Sequence, residues 1–305
     1  MRFIKNAKYT SLFMLLIVII AVIIGLFSNG LNLGIDFTGG SIFTVEMNKE
    51  YDIDDVNAAL EANGINPATV QIVRSEGTKA DIRMQELPEG ADGAALREAV
   101  VNTLEEKYPG VKSGDIESVG GATTKDIIAN AFLSVIAASA MMLIYIWIRF
   151  ELLSGIAAVA ALLHDVLIMT AAVCILRIQI NSSYIAACLT IVGYSINDTI
   201  VIFDRIRENN KKLASAMSRE DIADLSIRET LSRTINTSLT TIIMVVAIYI
   251  FGVSSIKEFA LPIIIGLVAG TYSSIYIAPA IWIKLLNRKQ SSKSGSRQKK
   301  ASNRA

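Results

Sequence analysis

The chain has 305 residues, 52% of them hydrophobic and only 19% charged, with a mean hydropathy of +0.47. That charge content is low for a soluble protein of this length. The net charge of +1 says little, because the charges are segregated along the chain, and nothing in their pattern points to a nucleic-acid partner. Apolar runs of the ~20 residues needed to cross a ~30 Å hydrocarbon core recur from end to end, so a polytopic α-helical membrane protein is expected.

In chain order, residues 1–27 read as a short N-terminal tail with Arg2, Lys5 and Lys8, followed by an apolar run from Ser11 to Phe27. The run is longer than a signal-peptide core, and the segment from Gly25 to Gly30 offers no clear small-residue cleavage site. An uncleaved first span is therefore expected. Residues 28–125 form a water-soluble segment with the order βαββαβ. Strand alternation runs over 41–47, a short helix over 53–61, and strands over 69–74 and 79–84 around a hairpin loop at 75–78. An amphipathic helix over 91–108 stops at Pro109-Gly110, and a last strand covers 115–119. This is the pattern of a small α+β, ferredoxin-like split unit. It holds no metal-ligand cluster, nucleophile triad or phosphate loop, so its expected work is contact rather than chemistry.

Residues 126–286 carry five further spans, over 127–148, 153–176, 182–203, 234–251 and 259–286, which makes six in all. A charged loop, 204–233, joins the fourth and fifth. Its interspersed Leu and Ile residues suggest a surface helix. Residues 287–305, rich in Ser, Lys and Arg, read as a disordered basic tail. Basic residues cluster in the N-terminal tail, the 204–233 loop and the C-terminal tail. By the positive-inside rule both termini are then cytoplasmic and the α+β segment lies outside. The two cysteines, Cys174 and Cys188, lie in or beside apolar spans and are assigned no role.

Polar residues inside these spans are costly and call for an explanation. Asp198 sits in Tyr194-Ser-Ile-Asn-Asp-Thr199, six residues before Asp204 and thus roughly 9 Å inside the cytoplasmic edge. Its default reading is a proton or ion site, with a purely structural aspartate as the alternative; Ser195 and Tyr194 lie on its own helix face and Asn197 beside it. His164-Asp165 in the third span is either a structural pair between helices or a relay with Asp198. No second His, Cys pair or Glu gives these residues metal-ligand spacing. Arg233, Thr237, Thr240 and Thr241 form a polar stripe on the fifth span. The stripe is either a snorkelling arginine with hydroxyls bonded back to the helix, or an arginine that reaches Asp198. Burial favours the neutral carboxyl and a guanidinium the charged one, so a group poised between them can bind and release a proton.

At this point several motifs converge. Gly34-Ile-Asp-Phe-Thr-Gly-Gly40 after the first span, Leu163-His-Asp-Val166, the run from Tyr194 to Asn209, and Arg233-Thr234 with the following Thr-Ser and Thr-Thr pairs resemble the SecD/SecF family of the resistance-nodulation-division superfamily. The likeness covers all spans and the α+β segment in order, and departs at Val119-Gly-Gly-Ala122, where many relatives have Gly-Pro. It implies a bacterial plasma-membrane protein that pairs with a SecD-like half and acts with the SecYEG channel, and with YajC and YidC, on unfolded preprotein, using the proton-motive force late in protein export. It places the coupling carboxylate on Asp198 and the coupling arginine on Arg233. Asn197, His164, Asp165, Thr237 and Ser195 would support them, and Gly34, Asp36, Thr38, Gly39 and Gly40 would act as signature and hinge. No cofactor other than the coupling proton is implied, and no enzymatic activity.

The alternative in the same superfamily is a half-size, proton-coupled exporter of small molecules, disfavoured by the single small exported segment and the lack of an internal repeat. An intramembrane protease built on Ser195 with His164, or on the two aspartates, lacks the glycines its motifs need. A pure scaffold leaves the polar stripes unexplained.

Overall fold

The computed structural model describes residues 3–27, 30–67, 70–75, 78–84, 93–119, 121–252 and 254–302, in two units. One combines Met1–Asn32 with Phe132–Ala305, and the other is Leu33–Ala131.

The second unit opens on the signature residues. Ile35–Thr38 form a single helical turn, α2, closed by bonds from Phe37 N–H and Thr38 Oγ1 to the Gly34 carbonyl. Gly39 and Gly40 follow with φ of 73° and 116°, backbone that a side chain would strain. The chain continues through β1 (Gly40–Glu46), α3 (Ile53–Ala62), β2 (Val70–Ser75), β3 (Lys79–Met84), α4 (Gly93–Glu105) and β4 (Lys112–Val119). The βαββαβ order read from the sequence is present, with β4 starting three residues earlier than expected. The signature turn was not anticipated. Residue 69 of the expected second strand, residues 76–77 of the hairpin loop expected at 75–78, and the start of the helix at 91–92 lie outside the described residues. The strands make one antiparallel sheet in the order β2-β3-β1-β4. β1 alternates, so that Phe43 and Val45 face a core with Ile82 and Met84 of β3, Val56 and Leu60 of α3, and Val100 and Leu104 of α4. Burying one face of each strand and one stripe of each helix in this way fixes the register, since a one-residue slip would turn the apolar set outward.

The first unit is helical: α1 (Phe3–Phe27), α5 (Gly121–Arg149, beginning in the other unit), α6 (Leu152–Ile175), α7 (Ser182–Leu213), α8 (Arg219–Phe251) and α9 (Ser254–Ser302). Five of these, α5 to α9, are long and apolar enough to cross a membrane, and α1 carries a shorter apolar stretch, Ser11–Leu26. The chain is thus a multi-pass helical membrane protein. α6, α7 and α9 pack as the inner helices, whereas α5 and α8 expose most of their apolar surface.

Two expectations are corrected. The 204–233 stretch is not a loop with a surface helix. α7 and α8 simply continue through it, and only 214–218 turn between them, with the Ser218 hydroxyl capping α8 at Asp221 N–H. A charge run reads as solvated chain, but here the charges pair. Arg205 meets Glu208 on its own helix and Glu229 across the hairpin, and Asn209 donates to Ser226 and Glu229. The apolar residues Ile206, Ile222 and Ile227 between them are fully buried. The C-terminal tail, expected to be disordered, is helical backbone as far as Ser302. Lys, Arg, Gln and Ala within it are good helix formers, and α9 propagates into it without having to nucleate anew.

Candidate functional site

Asp198 lies on the inner face of α7 with only 5% of its surface exposed. The α7 face that buries it also buries Ile191, Ser195 and Ile202, so one amphipathic stripe carries both core and carboxylate. Ser238 of α8 donates to Asp198 Oδ2 at 3.0 Å, and Thr271 of α9 donates to Ser238 Oγ at 2.6 Å. Asp198, Ser238, Thr271, Ser195 and Tyr194 line one small, partly open pocket together with Thr237, Gly266 and Gly270. The expected placement of Tyr194 and Ser195 on the Asp198 face is therefore observed.

Asp165 of α6 is fully buried. Ser195 Oγ of α7 and Ser273 Oγ of α9 both donate to its Oδ2, at 2.6 and 2.8 Å, and His164 Nδ1 lies 3.1 Å from Oδ1. Ser195 thus sits against Asp165 while also lining the Asp198 pocket. His164 and Asp165 stand beside the proposed proton site, joined to it through one hydroxyl. Ser195 and His164 each meet Asp165 and not each other, so no serine–histidine dyad is formed among the described residues. Thr199 and Ser274 exchange a further bond at 2.8 Å between α7 and α9.

Of the two readings of the α8 stripe, a direct contact between Arg233 and Asp198 is not seen, although the Arg233 charge is near enough to act on that carboxyl. No ion pair joins Arg233 to Asp198 among the described residues. The arginine is exposed, and with Asn197 it lines a separate groove between α5, α7 and α8 that also contains Arg205, Glu208 and Glu229. Five residues, roughly 7.5 Å of helix rise, separate it from Ser238, the α8 residue that does reach the carboxylate. Of the threonine stripe, Thr237, Thr240 and Thr241 bond back to carbonyls of their own helix. That back-bonding is the behaviour of hydroxyls with no better partner in an apolar helix.

Ser238 entered the sequence reading only as the serine of the Thr-Ser pair after Arg233, and Thr271, Ser273 and Ser274 were not singled out. Thr271 and Ser273 follow Gly266 and Gly270, and a Gly-x-x-x-Gly pattern in an apolar helix signals close backbone approach. A β-carbon on Gly270 would stand 2.9 Å from Ser195 Cβ. That spacing was the available signal that another helix packs closely on this face of α9; that the helix is α7 is shown by the structure alone.

A family model described as "Protein export membrane protein SecD/SecF, C-terminal" matches residues 99–288, and one for the SecD/SecF GG motif matches residues 24–50. A protein translocase subunit SecF from Haemophilus influenzae is 37% identical over 280 residues, 92% of this chain and 84% of that protein. One from Cereibacter sphaeroides is 39% identical over 262 residues, 84% and 81% of the two chains. A protein translocase subunit SecDF from Bacillus subtilis is 37% identical over 92% of this chain, which spans 37% of that longer protein. The crystal structure of SecDF from Thermus thermophilus superposes with a TM-score of 0.84 at 33% identity, over 94% of this chain and 39% of that one.

Proposed function

Since the chain belongs to the SecD/SecF family of protein export membrane proteins, and works in protein export as an accessory subunit of the Sec translocase, we propose that it converts the proton-motive force into movement through Asp198. The fused SecDF relatives indicate a SecD-type partner. In this reading six helices span the plasma membrane with both termini in the cytoplasm, and the ferredoxin-like unit lies outside. There it meets unfolded preprotein near SecYEG, with YajC and YidC as further neighbours.

The observation that carries the reading is the setting of Asp198. It is a carboxylate buried mid-helix, tied to the next helix by one hydroxyl and open to a small pocket. A group so held changes its contacts when it gains a proton, which packing residues do not. One proton crossing about 100 mV supplies about 2.3 kcal/mol, a bias of roughly fiftyfold on a two-state equilibrium. α8 is the element that can respond, being the least buried of the helices that meet the site. A slide of α8 by about one turn, ~5.4 Å, would carry Arg233 toward Asp198, so the arginine acts as counter-ion in the second state. The glycines after Asp36 would let the exported unit follow.

The test is preprotein export in membrane vesicles with and without a proton gradient. Asp198→Asn is expected to insert and to co-purify with its SecD-type partner, yet to lose the gradient-dependent part of export. An unchanged response to the gradient in that variant would overturn the reading.

A further inference from the structure

The three helices around Asp198 are linked by a run of hydroxyls whose protons must be accounted for. Ser238 Oγ lies 3.0 Å from Asp198 Oδ2 and 2.6 Å from Thr271 Oγ1, and Thr271 Oγ1 lies 2.8 Å from the carbonyl oxygen of Leu267, one turn back on α9. Each hydroxyl owns one hydrogen and can accept others. An ionised Asp198 only accepts. The Ser238 proton then points to Asp198, the Thr271 proton points to Ser238, and the side chain of Thr271 leaves Leu267 O. A protonated Asp198 donates. Its proton then points to Ser238, the Ser238 proton turns to Thr271, and the Thr271 proton turns to Leu267 O. Every group is hydrogen-bonded in both arrangements. The carbonyl at the end of the run makes the second one possible, because it is the acceptor that takes the last proton.

We propose that Ser238 and Thr271 are positioning residues for the proton site: a two-hydroxyl chain between α7, α8 and α9 that reverses its direction when Asp198 binds a proton, and so lets that carboxyl remain hydrogen-bonded in both forms. No proton passes along the chain. The incoming proton comes from water and stays on Asp198, while each hydroxyl keeps its own hydrogen and rotates. Protonation accordingly redirects the tie between α7 and α8 without cutting it. The tie becomes one in which Asp198 donates, weaker than the charge-assisted bond it replaces, and α8 is released by weakening rather than by rupture. The ionisable groups around the site are Tyr194 on α7, Asp165 with His164 on α6 behind Ser195, and Arg233 on α8; α9 adds only hydroxyls and backbone to the pocket. None of them makes a hydrogen bond to the chain among the described residues.

The two hydroxyls have unequal duties, and this gives the test its sign. Ser238→Ala removes both the donor to the ionised form and the acceptor of the protonated form, and the charge-assisted bond of the ionised form is the larger loss. Thr271→Val leaves that donor in place and removes the acceptor needed by the protonated form. The probe is infrared difference spectroscopy of the full chain with its SecD-type partner, following the protonated-carboxyl stretch that disappears in Asp198→Asn, as a function of pH. The band is expected to persist to higher pH in Ser238→Ala and to vanish at lower pH in Thr271→Val, each by roughly 0.5–1 pH unit for one lost hydrogen bond. Thr271→Ser, which keeps the hydroxyl, is expected to restore the wild-type midpoint, an outcome that lost packing alone would not produce. The proposal rests on Asp198 being the titrating group. If no carboxyl band is lost in Asp198→Asn, that reading fails. If the band is present but both variants titrate like wild type, or both move the same way, the chain fails alone.

Discussion

Asp165 and Asp198 are both carboxylates inside apolar helices, but they are held in opposite ways. Asp165 is enclosed by two serine hydroxyls from neighbouring helices and the imidazole of the adjacent His164, which suits a structural anchor that pins α6, α7 and α9 together. Asp198 has one hydroxyl and a pocket, which suits a group that exchanges its proton. Substitutions should separate the two roles. Asp165→Ala leaves the Ser195 hydroxyl buried without its acceptor, whereas Ser273 falls back on the Gly270 carbonyl, already 3.1 Å away. One stranded buried group costs about 1–3 kcal/mol. Asp165→Ala should therefore lower the thermal unfolding midpoint in detergent by several degrees, Asp165→Asn by less because an acceptor oxygen remains, and Asp198→Asn least of all. Equal losses for the alanine and asparagine variants at position 165 would count against its anchoring role.

At the scale of elements, α7 and α9 are joined through glycine, and that contact sets which helices can move. A β-carbon at Gly266 would press on the Ile191 side chain at 2.5 Å, and one at Gly270 on Ser195 Cβ at 2.9 Å. Ile191 can turn its side chain aside, but Ser195 is held by its bond to Asp165 and its Cβ is fixed to the backbone. Gly270→Ala is thus expected to be the more destabilising, within the 1–3 kcal/mol typical of overpacking, and Ile191→Ala should rescue Gly266→Ala. Comparing melting midpoints of the three variants checks both statements. Strands and spans of this protein were legible in the sequence because their signals are local: alternation over 41–47, and apolar runs bounded by charges. Asp198 was legible too, since a carboxylate in an apolar run is conspicuous on its own. Its partners were not. Ser238 lies in a polar stretch with Thr237 and Thr240, and only the rotation of α8 against α7 decides which hydroxyl faces inward. The pairing of Arg205 with Glu229, which turns an apparent loop into a helical hairpin, is likewise a tertiary fact that charge composition cannot carry.

For the molecule as a whole, its two units rest on different kinds of attachment, and acid should tell them apart. The helical unit buries two carboxylates, Asp165 and Asp198, among hydroxyls. The α+β unit has a core of its own and closes α3 against the end of α4 with an exposed polar tie, in which Lys107 and the Tyr108 hydroxyl both donate to Asp55. The hydrogen bond from Lys107, then that from Tyr108, holds the Asp55 carboxyl below the ordinary aspartate range. A carboxyl whose pKa is lower in the folded state adds stability that is complete above its unfolded value and fades as pH falls through the folded one. The tie should therefore act in full at neutral pH and be lost progressively below about pH 4. Amide hydrogen exchange on the full chain is expected to show protection of α3 and of 105–111 falling as pH drops below about 4, after correction for the intrinsic exchange rate. Because the tie is exposed, the change should be modest and should shrink further in high salt. Asp55→Asn should remove the pH-dependent part and leave the rest of the sheet protected. A loss of protection that is uniform over both units, or that survives in Asp55→Asn, would place the acid sensitivity elsewhere than in this tie.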